Sequence, residues 1–124
     1  MVTPAATTAI ADLRHTRKDL RREIARVRWW RRLIASRHDL TVAHLAQATT
    51  REQDLETTWD ALAVDAPRSS EIAAAIWPET SGLTSSALQR LEDLDARLGS
   101  YESRLSANLD GVTRQLVTAM GDAR

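Results

Sequence analysis

The chain has no cysteine and no phenylalanine, and only one tyrosine, four glycines and three prolines. The missing cysteines exclude disulfides, thiolate nucleophiles and cysteine-held metals together. So few glycines, prolines and aromatics, set against abundant Leu, Ala, Arg, Asp and Glu, argue for long helices and against sheets. No apolar run approaches the roughly 20 residues that cross a bilayer. The start, Met1-Val-Thr-Pro-Ala-Ala-Thr-Thr, lacks a charged segment followed by an apolar one, so a cytoplasmic protein is expected. At 124 residues the chain is read as one helical domain, 1–124, with no room for a separate catalytic domain.

What is present is a heptad seam. From Leu13, steps of four and three reach Arg17, Leu20, Ile24, Val27, Arg31, Ile34, His38, Thr41 and Leu45, with no Gly or Pro between Pro4 and Gln47. This predicts a helix over about 5–47. A second run, Leu88, Leu91, Leu94, Leu98, Tyr101, Leu105, Leu109, Val112, Leu116 and Met120, predicts another over about 84–121, capped by Thr84 or Ser85. The segment between, about 50–82, reads as a short helical linker. One stretch there carries Leu55, Trp59, Leu62 and Ala63, capped by Thr50 and ended by Pro67; another starts at Ser69 and is closed by Pro78. The expected fold is all-α: an antiparallel hairpin or coiled coil of two long helices, with Trp59 and Trp77 packed on it.

A formal net charge of zero conceals strong asymmetry. Residues 1–38 carry ten Lys/Arg against three acids, +7, and residues 39–124 carry seven Arg against fourteen acids, −7. The basic arm is therefore expected to lie against the more acidic one. Arginines fall on all faces of the first helix and the acidic remainder repels phosphate, so direct nucleic-acid binding is disfavoured, and ion pairing or solvation is the role expected of most of them.

Catalysis is not expected. His38 and Asp39 are neighbours and point about 100° apart on a helix, so they cannot orient one another as a base and its partner. Glu92, Asp93 and Asp95 read as a solvated face. Arg31 stands apart because it occupies the seam, where a guanidinium must find a carboxylate, a carbonyl or a ligand. Arg28, Arg31, Ala35 and Asp39 form one stripe, and an Arg with an Asp suits guanine: the guanidinium donates to O6 and N7, and the carboxylate accepts from the N1 and N2 protons. Trp29 and Trp30 can stack on a base, or pack against the linker or a partner.

The segment Arg28-Trp-Trp-Arg-Arg-Leu-Ile-Ala-Ser-Arg-His-Asp-Leu40 aligns without a gap to the context S-Y-x-R-R-L-x-Q-x-R-x-D-L. In this it resembles the RsiG-like family of actinobacterial anti-sigma factors, the aerial mycelium formation proteins, whose motif is E-x3-S-x2-R-x3-Q-x3-D. The motif Arg and Asp are kept as Arg31 and Asp39, whereas Ile24, Arg28 and Ala35 stand for its Glu, Ser and Gln. In the last helix Asp95 and Asp110 are nearest to the acidic positions, with Gly99, Glu102 and Ser106 in place of the Ser, Arg and Gln between them.

The resemblance implies a helical hairpin that binds cyclic di-GMP and holds a sporulation sigma factor inactive, a role in transcription regulation. It further implies nucleotide contacts from Arg31, Asp39, Asp95 and Asp110; Arg28, a departure from the motif, and Arg32 are the candidate phosphate contacts. Trp29, Trp30, Leu40 and Leu45 are the candidate partner-binding residues. The alternative reading is a coiled-coil assembly or adaptor protein that forms homo- or hetero-oligomers without a nucleotide, those same four residues forming the interface core.

Overall fold

A computed structural model describes residues 3–50, 62 and 64–123, the side chains of 47–50 excepted. The described residues form helix α1 (Pro4–Thr50), a short helix α2 (Ser69–Ile76) and helix α3 (Ser85–Asp122), with no strand among them. The expected roles of Leu55, Trp59 and Ala63 in the linker lie outside the described residues. None of the described helices is long and apolar enough to cross a membrane.

Local chemistry sets the helix starts. Pro4 occupies the first turn of α1, where its missing N–H costs nothing, and the Thr3 hydroxyl accepts a hydrogen bond from the Ala6 N–H at 3.1 Å. At α3 the choice between Thr84 and Ser85 falls to Thr84, whose hydroxyl accepts from the Ala87 N–H at 3.1 Å. Helix α2 stops where Pro78 cannot continue it, and the Trp77 N–H closes the last turn on the Ala73 carbonyl.

The chain divides into two compact units. The first comprises residues 1–35 and 93–124. Here α1 and α3 run antiparallel: Arg14 meets Met120, Arg17 meets Thr113, Arg28 meets Glu102 and Arg31 meets Asp95, one number rising as the other falls. Ile24, Val27 and Leu105 form the buried core, flanked by Leu20, Leu98, Tyr101 and Leu109. The α1 seam follows the expected heptad, with Leu13, Arg17, Leu20, Arg31 and Ile34 half-buried around that core.

The α3 seam departs from its expected course. Leu94 and Met120 are exposed, and Asp95 and Ala119 are turned inward in their stead. The inward line runs Asp95, Leu98, Glu102, Leu105, Leu109, Val112, Leu116 and Ala119, a strict alternation of three and four. From Leu91 to Leu98 is one heptad by either route, and apolarity alone favours Leu94 as the intermediate step. The route through Asp95 wins because Arg31 projects from the facing helix and needs a carboxylate there.

The second unit comprises residues 36–92. Thr41 is fully buried, and its hydroxyl is satisfied by donating to the Arg37 carbonyl at 2.7 Å. Leu83 and Ala87 are buried as well, and Trp77 lies against His44 with ring centroids 5.1 Å apart. His44 thus takes the inward place that the heptad assigned to Leu45, which is exposed.

Two substitutions probe the first unit. Leu105→Ala is expected to cost about 2–4 kcal/mol by opening a cavity in a thin core. Gly111→Ala adds a Cβ that meets no atom within 4 Å, so helix propensity alone should raise stability by about 1 kcal/mol. Thermal and urea unfolding followed by circular dichroism check both.

Candidate functional site

The most distinctive chemistry lies where α1 and α3 cross between Arg28 and Arg31. The Arg31 guanidinium donates from Nε to Asp95 Oδ1 at 2.9 Å and from Nη2 to Asp95 Oδ2 at 3.3 Å, a two-pronged grip on one carboxylate. Its remaining terminal nitrogen, Nη1, donates to Glu102 Oε1 at 3.3 Å. The other Glu102 oxygen, Oε2, accepts from Arg28 Nε at 3.2 Å. The result is a chain of alternating charge, Asp95, Arg31, Glu102, Arg28, laid across the seam.

Packing explains how a guanidinium fits between two helices. Gly99 lies on α3 between Asp95 and Glu102, and a Cβ built there would come within 3.3 Å of Arg31 Nη2. The glycine is therefore a seat for the guanidinium, one turn from each acid. The Arg31 side chain keeps 35% of its exposure and Glu102 keeps 19%, so both charges are only partly withdrawn from water.

The ionisation equilibria follow the geometry. Arg31 is held in its charged form above its ordinary pKa, chiefly by the hydrogen bond to Asp95 and then by that to Glu102, against partial desolvation. The Glu102 carboxyl is held below the usual glutamate value, first by the hydrogen bond from Arg28 and, against the opposing effect of desolvation, also by Arg31.

The structure brings together Arg28, Arg31 and Asp95 from the residues singled out in the sequence. Asp110 lies fifteen residues beyond Asp95 on the same helix, about 22 Å along its axis, and is exposed. Arg32 is exposed as well. Asp39 belongs to the second unit, where its side chain is 87% exposed and its carboxylate is 3.9 Å from His38 Nδ1, too far for a hydrogen bond. His38 instead places Nε2 3.0 Å from Glu92.

The residue missed by the sequence reading is Glu102, taken there only as a departure from a motif arginine. A strict heptad drawn through Leu91, Leu98 and Leu105 includes both Asp95 and Glu102, and would have found the two acids facing the one seam arginine. It would also have removed Asp95 from the solvated face assigned to it.

A second feature is apolar and exposed. Trp29 and Trp30 retain 47% and 48% of their accessible surface, and touch each other edge to face with centroids 4.7 Å apart. Leu33, also in the first unit, is exposed, as are Leu40, Val42 and Leu45 in the second. All four residues proposed from sequence as partner contacts thus retain substantial solvent exposure.

No family model, curated protein or solved structure matches this chain.

The charged chain makes two predictions. A carboxylate with a lowered folded pKa contributes stability above its unfolded pKa, and that contribution is lost as pH falls through the folded value. Replacing Glu102 by Gln should therefore lower the thermal midpoint at neutral pH and flatten the decline of that midpoint as pH is lowered below the ordinary glutamate range. Gly99→Ala should stabilise less than Gly111→Ala, because the added methyl crowds the Arg31 guanidinium; thermal melts of the two variants side by side provide the comparison.

Proposed function

We propose that the protein is a non-enzymatic regulatory hairpin, resembling the RsiG-like anti-sigma factors, that sequesters a sigma factor or another protein regulator through exposed apolar residues of α1. The observation that carries this reading is the Trp29 and Trp30 pair: two large aromatic rings left half in water on a well-formed helix. Trp is the residue type most enriched among those that dominate binding energy, and exposing two of them costs solubility unless a partner covers them. Trp29, Trp30, Leu40 and Leu45 are assigned to partner binding.

Cyclic di-GMP enters this reading as a ligand with a competitor. Arg31, the guanidinium proposed for guanine, is engaged by Asp95 and Glu102, and Arg28 by Glu102. A nucleotide has to displace both acids, and their carboxylates oppose its phosphates. We therefore read partner binding as independent of the nucleotide, with Arg28, Arg31, Arg32, Asp39, Asp95 and Asp110 as the residues to examine if a ligand is found.

The exposed apolar residues of the second unit, Leu40, Val42 and Leu45, favour one alternative: assembly of the chain with further copies of itself. The two readings separate in one experiment. Tagged protein recovered from its native host should retain a sigma factor or other regulator in stoichiometric amount, and Trp29→Ala/Trp30→Ala should release it while the helical circular dichroism is unchanged. Recovery of this chain alone, with sedimentation showing a dimer or larger species, would replace sequestration by assembly. Titration calorimetry with cyclic di-GMP should give no heat at micromolar protein; a saturable signal abolished by Arg31→Ala would reinstate the nucleotide.

A further inference from the structure

A different part of α1 carries charge that the fold leaves uncompensated. Arg14, Arg17, Lys18, Arg21 and Arg22, with Ala25, line an open groove of about 340 Å³ in the first unit. The sequence suggested arginines scattered around the helix, yet these five cations converge on one groove, some 12 Å long from Arg14 to Arg22.

None of the five has a carboxylate partner among the described residues. Arg14 reaches only the Met120 sulfur, at 3.9 Å, and Arg17 only the Thr113 hydroxyl, at 3.3 Å. The two acids within this stretch are engaged elsewhere, Asp19 with His15 at 3.3 Å and Glu23 with Arg26 at 2.7 Å. The facing part of α3, residues 105–121, offers one acid, Asp110, balanced by Arg114. The first unit as a whole carries thirteen Lys/Arg against eight Asp/Glu, +5, and the second −5, so the acidic excess of the chain belongs to the other unit.

We propose that this groove binds a phosphodiester strand. Four guanidiniums and one ammonium along 12 Å face three to four phosphates of a duplex strand at its axial spacing of about 3.4 Å per phosphate. Guanidinium forks match phosphate oxygens in pairs. A protein partner is the less fitting occupant, because the only apolar residue lining the groove is Ala25 and there is no aromatic anchor to bury. The lining is cationic apart from Ala25, which suits the phosphate backbone of a strand.

Fluorescence anisotropy with a labelled DNA duplex of arbitrary sequence, and with one of its single strands, tests this on the full chain. Binding should weaken steeply between about 50 and about 200 mM salt, with a log–log slope of about −2.7 to −3.6 on duplex and about −2.1 to −2.8 on single strand for three to four neutralised phosphates. Whichever form binds more tightly names the source of the phosphates.

The variant Lys18→Ala/Arg21→Ala/Arg22→Ala places good helix formers at exposed positions and should weaken binding at least tenfold and flatten the slope by about 2 to 3. Arg68→Ala/Arg90→Ala, outside the groove, should change neither. Three results would overturn the proposal: no binding at low salt, binding unaffected by the triple variant, or polyglutamate displacing the DNA charge for charge, which would give the groove to an acidic protein.

Discussion

A guanidinium set in the seam between two helices is the constraint on which the first unit turns. An apolar residue at position 31 would accept many neighbours, whereas an arginine accepts only acceptors, and leaving it without them costs far more than leaving a leucine loosely packed. Asp95 and Glu102 meet that demand from positions about two turns apart on α3, and Gly99 leaves room on the turn between them. One side chain thus selects the face that α3 presents. Such a charged seam is weak evidence for high stability, since desolvation offsets much of the attraction; its value lies in specifying one register over its neighbours.

The same helix treats its arginines in opposite ways. Arg28 and Arg31 lie where α3 supplies acids, and their charge is spent inside the fold. Arg14, Arg17, Lys18, Arg21 and Arg22 lie where α3 is nearly neutral, and their field reaches solvent. A net charge of zero for the chain therefore describes neither unit. Two exposed tryptophans just beyond the basic stretch complete a helix whose surface offers both charge and apolar area to other molecules.

Most of the architecture was legible in the sequence because heptad spacing, the Pro4 start, the Thr84 cap and the Pro78 stop act locally. What resisted reading was the α3 register. Within a heptad the choice between Leu94 and Asp95, or between Tyr101 and Glu102, depends on the facing helix, and hydrophobicity favours the apolar residue in each pair. His44 displaced Leu45 for a similar reason, since the ring it packs on, Trp77, lies 33 residues away. Of the proposed nucleotide contacts, Arg28 and Arg31 were legible as neighbours on one stripe of α1, whereas Asp95 was linked to them only through the family resemblance. Their mutual neutralisation was not legible, because it required Glu102, which motif comparison had set aside as a mismatch.

The most direct measurement is a double-mutant cycle on the seam, with Arg31→Met, Asp95→Met and the double variant compared by thermal unfolding at neutral pH. If the guanidinium selects the acid, each single change lowers the midpoint by stranding its partner, and the double variant recovers much of the loss because two apolar side chains can then pack together. Losses that simply add would show that Arg31 and Asp95 do not act on one another and would contradict the account.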